Sequence, residues 1–216
     1  MSCSTALENF INKYLLAYQD ALSELPRYYP MGEDSACIQG QFEQNSDHAV
    51  YFKPFKRKTS ADFSNVEHAL ELSLHDDINQ YYGQFYSAPL MFTSSWGEGE
   101  LLQTWNQQDF EYLQQNMIGH LMMKKKLKQE PTWFIGVLGD GDQMLTVDNE
   151  SGGVWIEIPG DRPKQRLADS LSAFIDQLSP RITPPIKPDT TEDTEWQHPG
   201  IWQRIKLMWQ YLLRKK

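Results

Sequence analysis

The stretch WFIGVLGDGDQMLTVDNESGGVWIEI, residues 133–158, decides the fold. Three runs in it, Trp133–Leu138, Gln143–Asp148 and Val154–Ile158, have the length and apolar, β-branched or aromatic content of strands. Gly139-Asp140-Gly141-Asp142 joins the first pair and Glu150-Ser151-Gly152-Gly153 the second; both are turn chemistry, with glycines available for positive φ. Consecutive strands joined by short turns must pair antiparallel. The stretch therefore predicts a meander, and the chain an α+β fold rather than a doubly wound α/β one.

Working outward towards the N-terminus, helical spacing predicts a helix over Gln108–Leu127, with Phe110, Leu113, Met117, Leu121 and Ile118 inward. Lysines in its last turns complement the helix dipole, and Pro131 ends it. Before it lie two strand-like runs, Leu90–Thr93 and Glu100–Trp105. A further helix is predicted over Asn65–Phe85, its stripe formed by Val66, Ala69, Leu70, Leu74, Ile78, Tyr81 and Phe85. Ala36–Gln41 and Ala49–Lys53 flank the polar Asn45-Ser46-Asp47-His48 and predict a hairpin. Thr5-Ala6-Leu7-Glu8 has the form of a capping box opening a first helix, which Pro26 and Pro30 stop.

On the C-terminal side, Lys164–Leu178 carries Leu167, Leu171, Phe174, Ile175 and Leu178 on one helical face. From Pro180 to Gly200 the composition changes to Pro, Thr and acid, an extended and mobile linker. The expected organisation is an α+β domain over 1–180, a linker over 181–200 and an amphipathic helix over 201–216. That last helix groups Ile201, Trp202, Ile205, Met208, Trp209, Leu212 and Leu213 in an arc of about 140°. Its basic residues Arg204, Lys206, Arg214, Lys215 and Lys216 have no acidic neighbour in the segment. Trp on the apolar flank with Lys and Arg opposite is the pattern of an interfacial membrane helix, for which Trp202, Arg204, Lys206, Trp209, Arg214, Lys215 and Lys216 are the contact candidates. The alternative is a last helix that folds back on the body. There too opposite charges meet, because residues 1–200 hold 15 basic and 29 acidic residues.

That acidic body excludes nucleic acid as a partner and favours basic ones. Eight of its basic residues fall in two clusters, Lys53/Lys56/Arg57/Lys58 and Lys124/Lys125/Lys126/Lys128. Cys3 and Cys37 are too few for a disulfide framework or a four-thiolate metal site. No run of about 18 apolar residues predicts a membrane span. Met1-Ser2-Cys3-Ser4-Thr5-Ala6 has no basic start or apolar core of a signal peptide, so a cytoplasmic protein is expected.

Chemistry is harder to find. His48, His68, His75, His120 and His198 are scattered, with no HExxH and no His–Cys grouping. His120 has the bland reading of a packed helical histidine. Gly136…Gly139-Asp140-Gly141 precedes a strand instead of a helix and so cannot be a phosphate loop. The pairs Glu33/Asp34, Asp76/Asp77 and Glu98/Glu100 have no neighbours that would split their pKa values. No enzyme, cofactor, metal or small-molecule substrate is expected.

Leu101-Leu102-Gln103-Thr104-Trp105-Asn106, Asp109-Phe110, Asn116, Ile118-Gly119-His120-Leu121, Leu127-Lys128, Pro131-Thr132 and Phe134-Ile135 together form an ordered set of motifs. Cys37-Ile38, Ala49-Val50-Tyr51 and Asn65-Val66-Glu67 occupy matching places upstream. In order and spacing the chain resembles the bacterial Syd family of SecY-interacting proteins, over residues 4–180. The resemblance implies a small α+β protein peripheral to the cytoplasmic side of the cell inner membrane. It implies an acidic concave surface bound to basic cytoplasmic loops of the SecY translocon, a check on excess or misassembled SecY or a limit on translocase activity. Members are expected to end near the position of Pro180, leaving 181–216 with nothing inherited.

Cytoplasmic loops of inner-membrane proteins are rich in Lys and Arg, so an acidic body is their electrostatic complement. Glu67 and Glu71 (i, i+4), Glu98 and Glu100 entering a strand, and Asp109 opening a helix are the partner-binding candidates. Asp109 also has the reading of a helix N-terminal residue. The runner-up function is an immunity-type module that neutralises a basic toxin through the same acidic groove. A carboxylate-pair hydrolase comes third.

Overall fold

The computed structural model of this chain describes residues 1–44, 47–139 and 143–187. The expected meander is present and extends beyond the stretch that announced it. Strands β6 (Leu90–Ser94), β7 (Gly97–Leu101), β8 (Thr132–Leu138), β9 (Gln143–Asp148), β10 (Val154–Glu157) and β11 (Gln165–Ala168) pair in sequence order, all antiparallel. β12 (Ser179–Pro180) completes the seven-stranded sheet by adding to the free edge of β6. A smaller sheet is built from β1 (Arg27–Tyr28), β3 (Val50–Phe52) and β2 (Ile38–Gln39) in that order, and the predicted hairpin is its β2–β3 pair. β4 (Phe55–Lys56) pairs with β5 (Phe85–Tyr86).

Strand alternation gives the large sheet two differently used faces. Leu90, Phe92, Leu101, Leu145 and Val154 fall on one of them, where the Phe92 ring meets Phe174 of α5 (Leu171–Ile175) edge-on at 6.2 Å. α5 in turn packs on α1 (Cys3–Leu22), which buries Phe10, Ile11, Tyr14 and Tyr18. On the opposite face Met91, Glu100, Val137, Met144 and Glu157 stand in one row across β6–β10, each the register partner of the next. α4 (Gln107–Lys126) covers part of that face, with Phe110, Leu113, Met117 and Leu121 buried as predicted.

Four expected elements differ from the structure. The helix expected over Asn65–Phe85 is two short helices, α2 (Ser64–Leu70) and α3 (Asp77–Tyr82). Glu71 turns to φ 51° and caps α2, while the Glu67 carboxylate accepts from Leu74 N–H at 2.7 Å. The break is then fastened to the β9–β10 loop: His75 N–H donates to Asn149 Oδ1 and Asn149 Nδ2 donates to Ser73 O, both at 2.9 Å. Val66, Leu74, Ile78, Tyr81 and Phe85 of the expected stripe are buried on both sides of the break, while Ala69 is exposed; side chains replace the lost helical bonds.

The helix expected over Lys164–Leu178 begins as β11, which takes the open edge of β10; Ser170 then caps α5 by accepting from Ala173 N–H at 3.2 Å. The ladder of the strand expected over Glu100–Trp105 covers Gly97–Leu101 instead, and residues 102–105 run on buried, with Leu102 N–H on Ile135 O at 2.8 Å. The first helix is capped by Ser2, whose Oγ accepts from Thr5 N–H at 3.2 Å, so Thr5 is inside the helix and not its cap.

Residues 181–187 have no regular secondary structure but are held on the body. Arg181 N–H donates to Met91 O at 3.0 Å, Tyr18 Oη and Thr183 exchange two hydrogen bonds, and Lys187 pairs with Asp47. The rest of the expected linker and the amphipathic segment 201–216 lie outside the described residues.

Candidate functional site

The small sheet docks on the segment that enters α4, and the joint gathers carboxylates. Trp105 is the pin: its Nε1 donates to Glu33 O at 3.0 Å, and its carbonyl accepts from Ser35 Oγ. Its ring lies 5.0 Å from that of Tyr28 and meets Phe52 edge-on at 6.1 Å. Asn106 both caps α4, accepting from Asp109 N–H at 2.9 Å, and donates through Nδ2 to Asp34 O at 2.8 Å. Glu33 and Asp34 are thereby brought beside the start of α4.

Tyr28 reports how close the acids come. Burial raises the pKa of its phenol above the ordinary value, and the charges of Asp109, Glu100 and Glu33 push it further in the same direction. Three carboxylates from the small sheet's loop, from β7 and from α4 therefore act on one hydroxyl, and none of the three is without a partner. Glu98 stands two residues from Glu100 on the same strand, exposed and bridged to Arg181 at 2.9 Å. Asp34, Glu43 and Asp47 add exposed charge on the loops of the small sheet.

Of the five partner-binding candidates, Glu98, Glu100 and Asp109 are thus brought to one region, in unequal roles. Glu100 is 6% exposed, so little of it is available to a bulky partner. The Asp109 carboxylate accepts from Trp105 N–H at 2.7 Å, closing a reciprocal cap with Asn106 at the helix N-terminus, where the dipole also favours it. Glu98 is the one of the three that faces solvent.

Glu67 and Glu71 do not belong to this region. They are not an i, i+4 pair on one helix face, since Glu71 is the left-handed cap beyond α2. Through Leu74 and His75 they adjoin Asn149, at the Thr132 end of β8, whereas Glu98 O accepts from Gly139 N–H beyond the other end. The seven-residue strand separates those ends by roughly 20 Å. Sequence reasoning missed Tyr28, Glu33 and Asp34 as members. The Glu33/Asp34 pair was visible, but its partners across the chain were not. The membrane candidates Trp202, Arg204, Lys206, Trp209, Arg214, Lys215 and Lys216 lie outside the described residues.

A second polar cluster is buried under α4. Lys124 Nζ lies 3.0 Å from Glu157 Oε1, with the two side chains 1% and 0% exposed. Thr132 and Thr146 donate to Glu157 Oε2 at 2.9 and 3.2 Å, and His120 Nε2 is 3.2 Å from Thr132 Oγ1. Burial, then the Lys124 charge, lowers the His120 pKa to about 3, so the ring is neutral at physiological pH. This is the packed histidine expected from its helix. Closed to solvent and satisfied internally, the cluster is part of the core. Among the described residues no group of three or more His, Cys, Asp or Glu side chains is placed to hold a metal ion. No described helix is long and apolar enough to cross a membrane.

Known proteins of the same kind are numerous. The family described as Syd protein (SUKH-2) matches residues 4–180. Protein Syd of Shewanella frigidimarina (strain NCIMB 400) is 64% identical over 216 residues, covering the whole of both chains. Protein Syd of Shewanella denitrificans is 64% identical over 215 residues, all of this chain and 99% of its own. Protein Syd of Shewanella baltica (strain OS155) is 57% identical over 216 residues, again the whole of both. These relatives correct one expectation: their similarity runs through residues 181–216, so that segment is shared and not a departure from every member of the family.

Proposed function

This chain belongs to the Syd family, and on that premise we propose that it is a SecY-binding regulatory protein with no catalytic role, peripheral to the cytoplasmic face of the inner membrane. The observation that carries the reading is the joint between the small sheet and α4, where Trp105, packed beside Tyr28, bonds both the Asp109 carboxylate and the Glu33 carbonyl, Asn106 holds Asp34, and Asp34, Glu98 and Asp47 are exposed. Basic cytoplasmic loops of the translocon are drawn to such a surface over long range and held by charge-assisted hydrogen bonds. Glu98 and Asp34 make direct contacts in this reading. Glu100 and Asp109 keep the surface negative from beneath and fix its shape. Glu67 and Glu71 take a peripheral role at most. Occupying those loops checks excess or misassembled SecY, or limits translocase activity. The basic amphipathic segment 201–216, through Trp202, Arg204, Lys206, Trp209, Arg214, Lys215 and Lys216, holds the protein near the bilayer where SecY resides, and two weak contacts then act at high effective concentration.

The test is binding of the full chain to vesicles with and without reconstituted SecY complex, at low and high salt. Glu98→Lys and Asp34→Lys are expected to lose SecY-dependent binding and most of its salt sensitivity, while Glu71→Lys retains both. Equal binding by all three variants would remove the acidic joint as the contact. Avid capture of a basic protein toxin by the wild type with no preference for SecY vesicles would favour the immunity-type reading.

A further inference from the structure

We infer that the C-terminal end of α4 is a second, independent docking surface, built for an anionic lipid bilayer. Within seven residues it carries three exposed lysines, Lys125, Lys126 and Lys128, and two exposed apolar side chains, Met122 and Leu127, at 57% and 43% of full exposure. Among the described residues none of the three lysines is ion-paired; Lys124 alone of the run turns inward, to Glu157. From Tyr112 to Gly139 the chain contains a single carboxylate, Glu130. Gln129 Nε2 donates to Gly160 O at 3.1 Å and so brings Asp161 close, but that carboxylate is paired with Lys164 at 3.1 Å, and the exposed charge at this end of α4 is mainly basic.

Its geometry is also specific. α4 ends in a Schellman turn, Lys128 N–H donating to Lys125 O at 3.1 Å and Gln129 N–H to Lys124 O at 3.0 Å. The left-handed position of that turn, which favours glycine, is held by Lys128 at φ 54°. A cation therefore stands where the backbone would be more comfortable without a side chain, directly beside Leu127.

Two arguments select a bilayer over other polyanions. Met122 and Leu127 gain nothing from a phosphate backbone in water, but at the headgroup boundary their apolar area is buried while the lysines meet anionic headgroups. The acidic charge of the rest of the body does not forbid the contact. The 20 residues of α4 span about 30 Å, so the carboxylates at its Asp109 end stand more than three Debye lengths, each about 8 Å, from a surface touching Lys126. A nucleic acid lying along the body would meet those acids; a plane touching one pole does not.

The experiment uses the full chain and protein-free vesicles, so its failure leaves the SecY reading standing. Cys3 and Cys37 are buried, with burial raising both thiol pKa values, so Met122→Cys takes an environment-sensitive fluorophore selectively. On vesicles of phosphatidylcholine with about 30% phosphatidylglycerol the label is expected to shift to the blue, and on phosphatidylcholine alone to stay unchanged. Lys125→Glu/Lys126→Glu/Lys128→Glu in the same labelled chain is expected to lower the fraction of label that shifts at least about tenfold. The readout is taken at Met122 itself, and its loss in the triple variant, with residues 201–216 unchanged, assigns the shift to this end of α4. Three results would overturn the inference: vesicle binding with no shift of the label, a triple variant whose label shifts like that of the chain with its lysines intact, or a shift produced by polyglutamate and not by vesicles.

Discussion

Lys124 and Glu157 show how much depends on one buried pair. A lysine and a glutamate withdrawn from water this completely are stabilised only by each other and by the Thr132 and Thr146 hydroxyls. Lys124→Met or Glu157→Gln strands the remaining charge, and each is expected to cost about 3–5 kcal/mol in urea unfolding. The double variant removes both charges and should lose clearly less than the sum of the two. His120 adds a pH dependence. Its folded pKa of about 3 lies below the ordinary histidine value of about 6.5, so between those limits the unfolded chain binds the extra proton. The stability contributed by the neutral ring is complete above about pH 6.5 and is lost as pH falls towards 3, with a slope of at most about 1.4 kcal/mol per unit. His120→Gln should flatten that region of the stability profile. The packed His120 was legible from its place in the helix; the buried ion pair was not. Lys124 continues the inward spacing of Leu113, Met117 and Leu121, but three successive lysines in a last turn read as dipole partners, and the glutamate that receives Lys124 lies 33 residues away. Glu98 and Glu100 are a second case, read alike but separated by burial, whereas the capping role of Asp109 was legible because it depends on neighbours in sequence.

Elements were legible where turn chemistry bounded them. The meander and α4 were recognised because glycine-rich turns bound the first and Pro131 ends the second; the Asn106 cap that opens α4 was not read. The predicted helices over residues 65–85 and 164–178 failed where long-range hydrogen bonding outweighed an intact apolar stripe, at Asn149 in one case and at the edge of β10 in the other. The β7–β8 pair carries a constraint that periodicity does not express. A Cβ on Gly99 would sit 2.4 Å from Val137 O and 2.5 Å from the Phe92 ring, its cross-strand neighbour, and one on Gly136 would sit 2.3 Å from Glu100 O. Gly99→Ala must push the strands apart or displace Phe92 from Phe174. It is expected to cost about 1–3 kcal/mol by thermal or urea unfolding and to loosen the placement of Glu98 and Glu100. Salt-dependent binding through those residues should weaken with it.

At the scale of the molecule, the body continues past the limit that composition suggested at Pro180. β12 and residues 181–187 close the edge of β6, tie Arg181 to Glu98 and join Thr183 to Tyr18 of α1. A chain ending at residue 187 is expected to unfold at the temperature of the full protein. One ending at residue 178 should lose about 1–3 kcal/mol, since each of these few hydrogen bonds is worth about 1 kcal/mol net. The side chains that receive residues 181–187 lie between 83 and 165 residues away in sequence and left no local mark.

The packing of α1 on α5 and β12 also sets a schedule for synthesis. α1 leaves the ribosome first, yet Phe10, Tyr14 and Tyr18 belong to a core completed by residues about 150 positions later. At 5–20 residues per second, some of its apolar face waits roughly 8–30 s for those partners. α3 can cover part of α1 earlier, but the aromatic face that meets α5 and β12 stays open throughout that interval, a natural client for chaperones that hold emerging polypeptides.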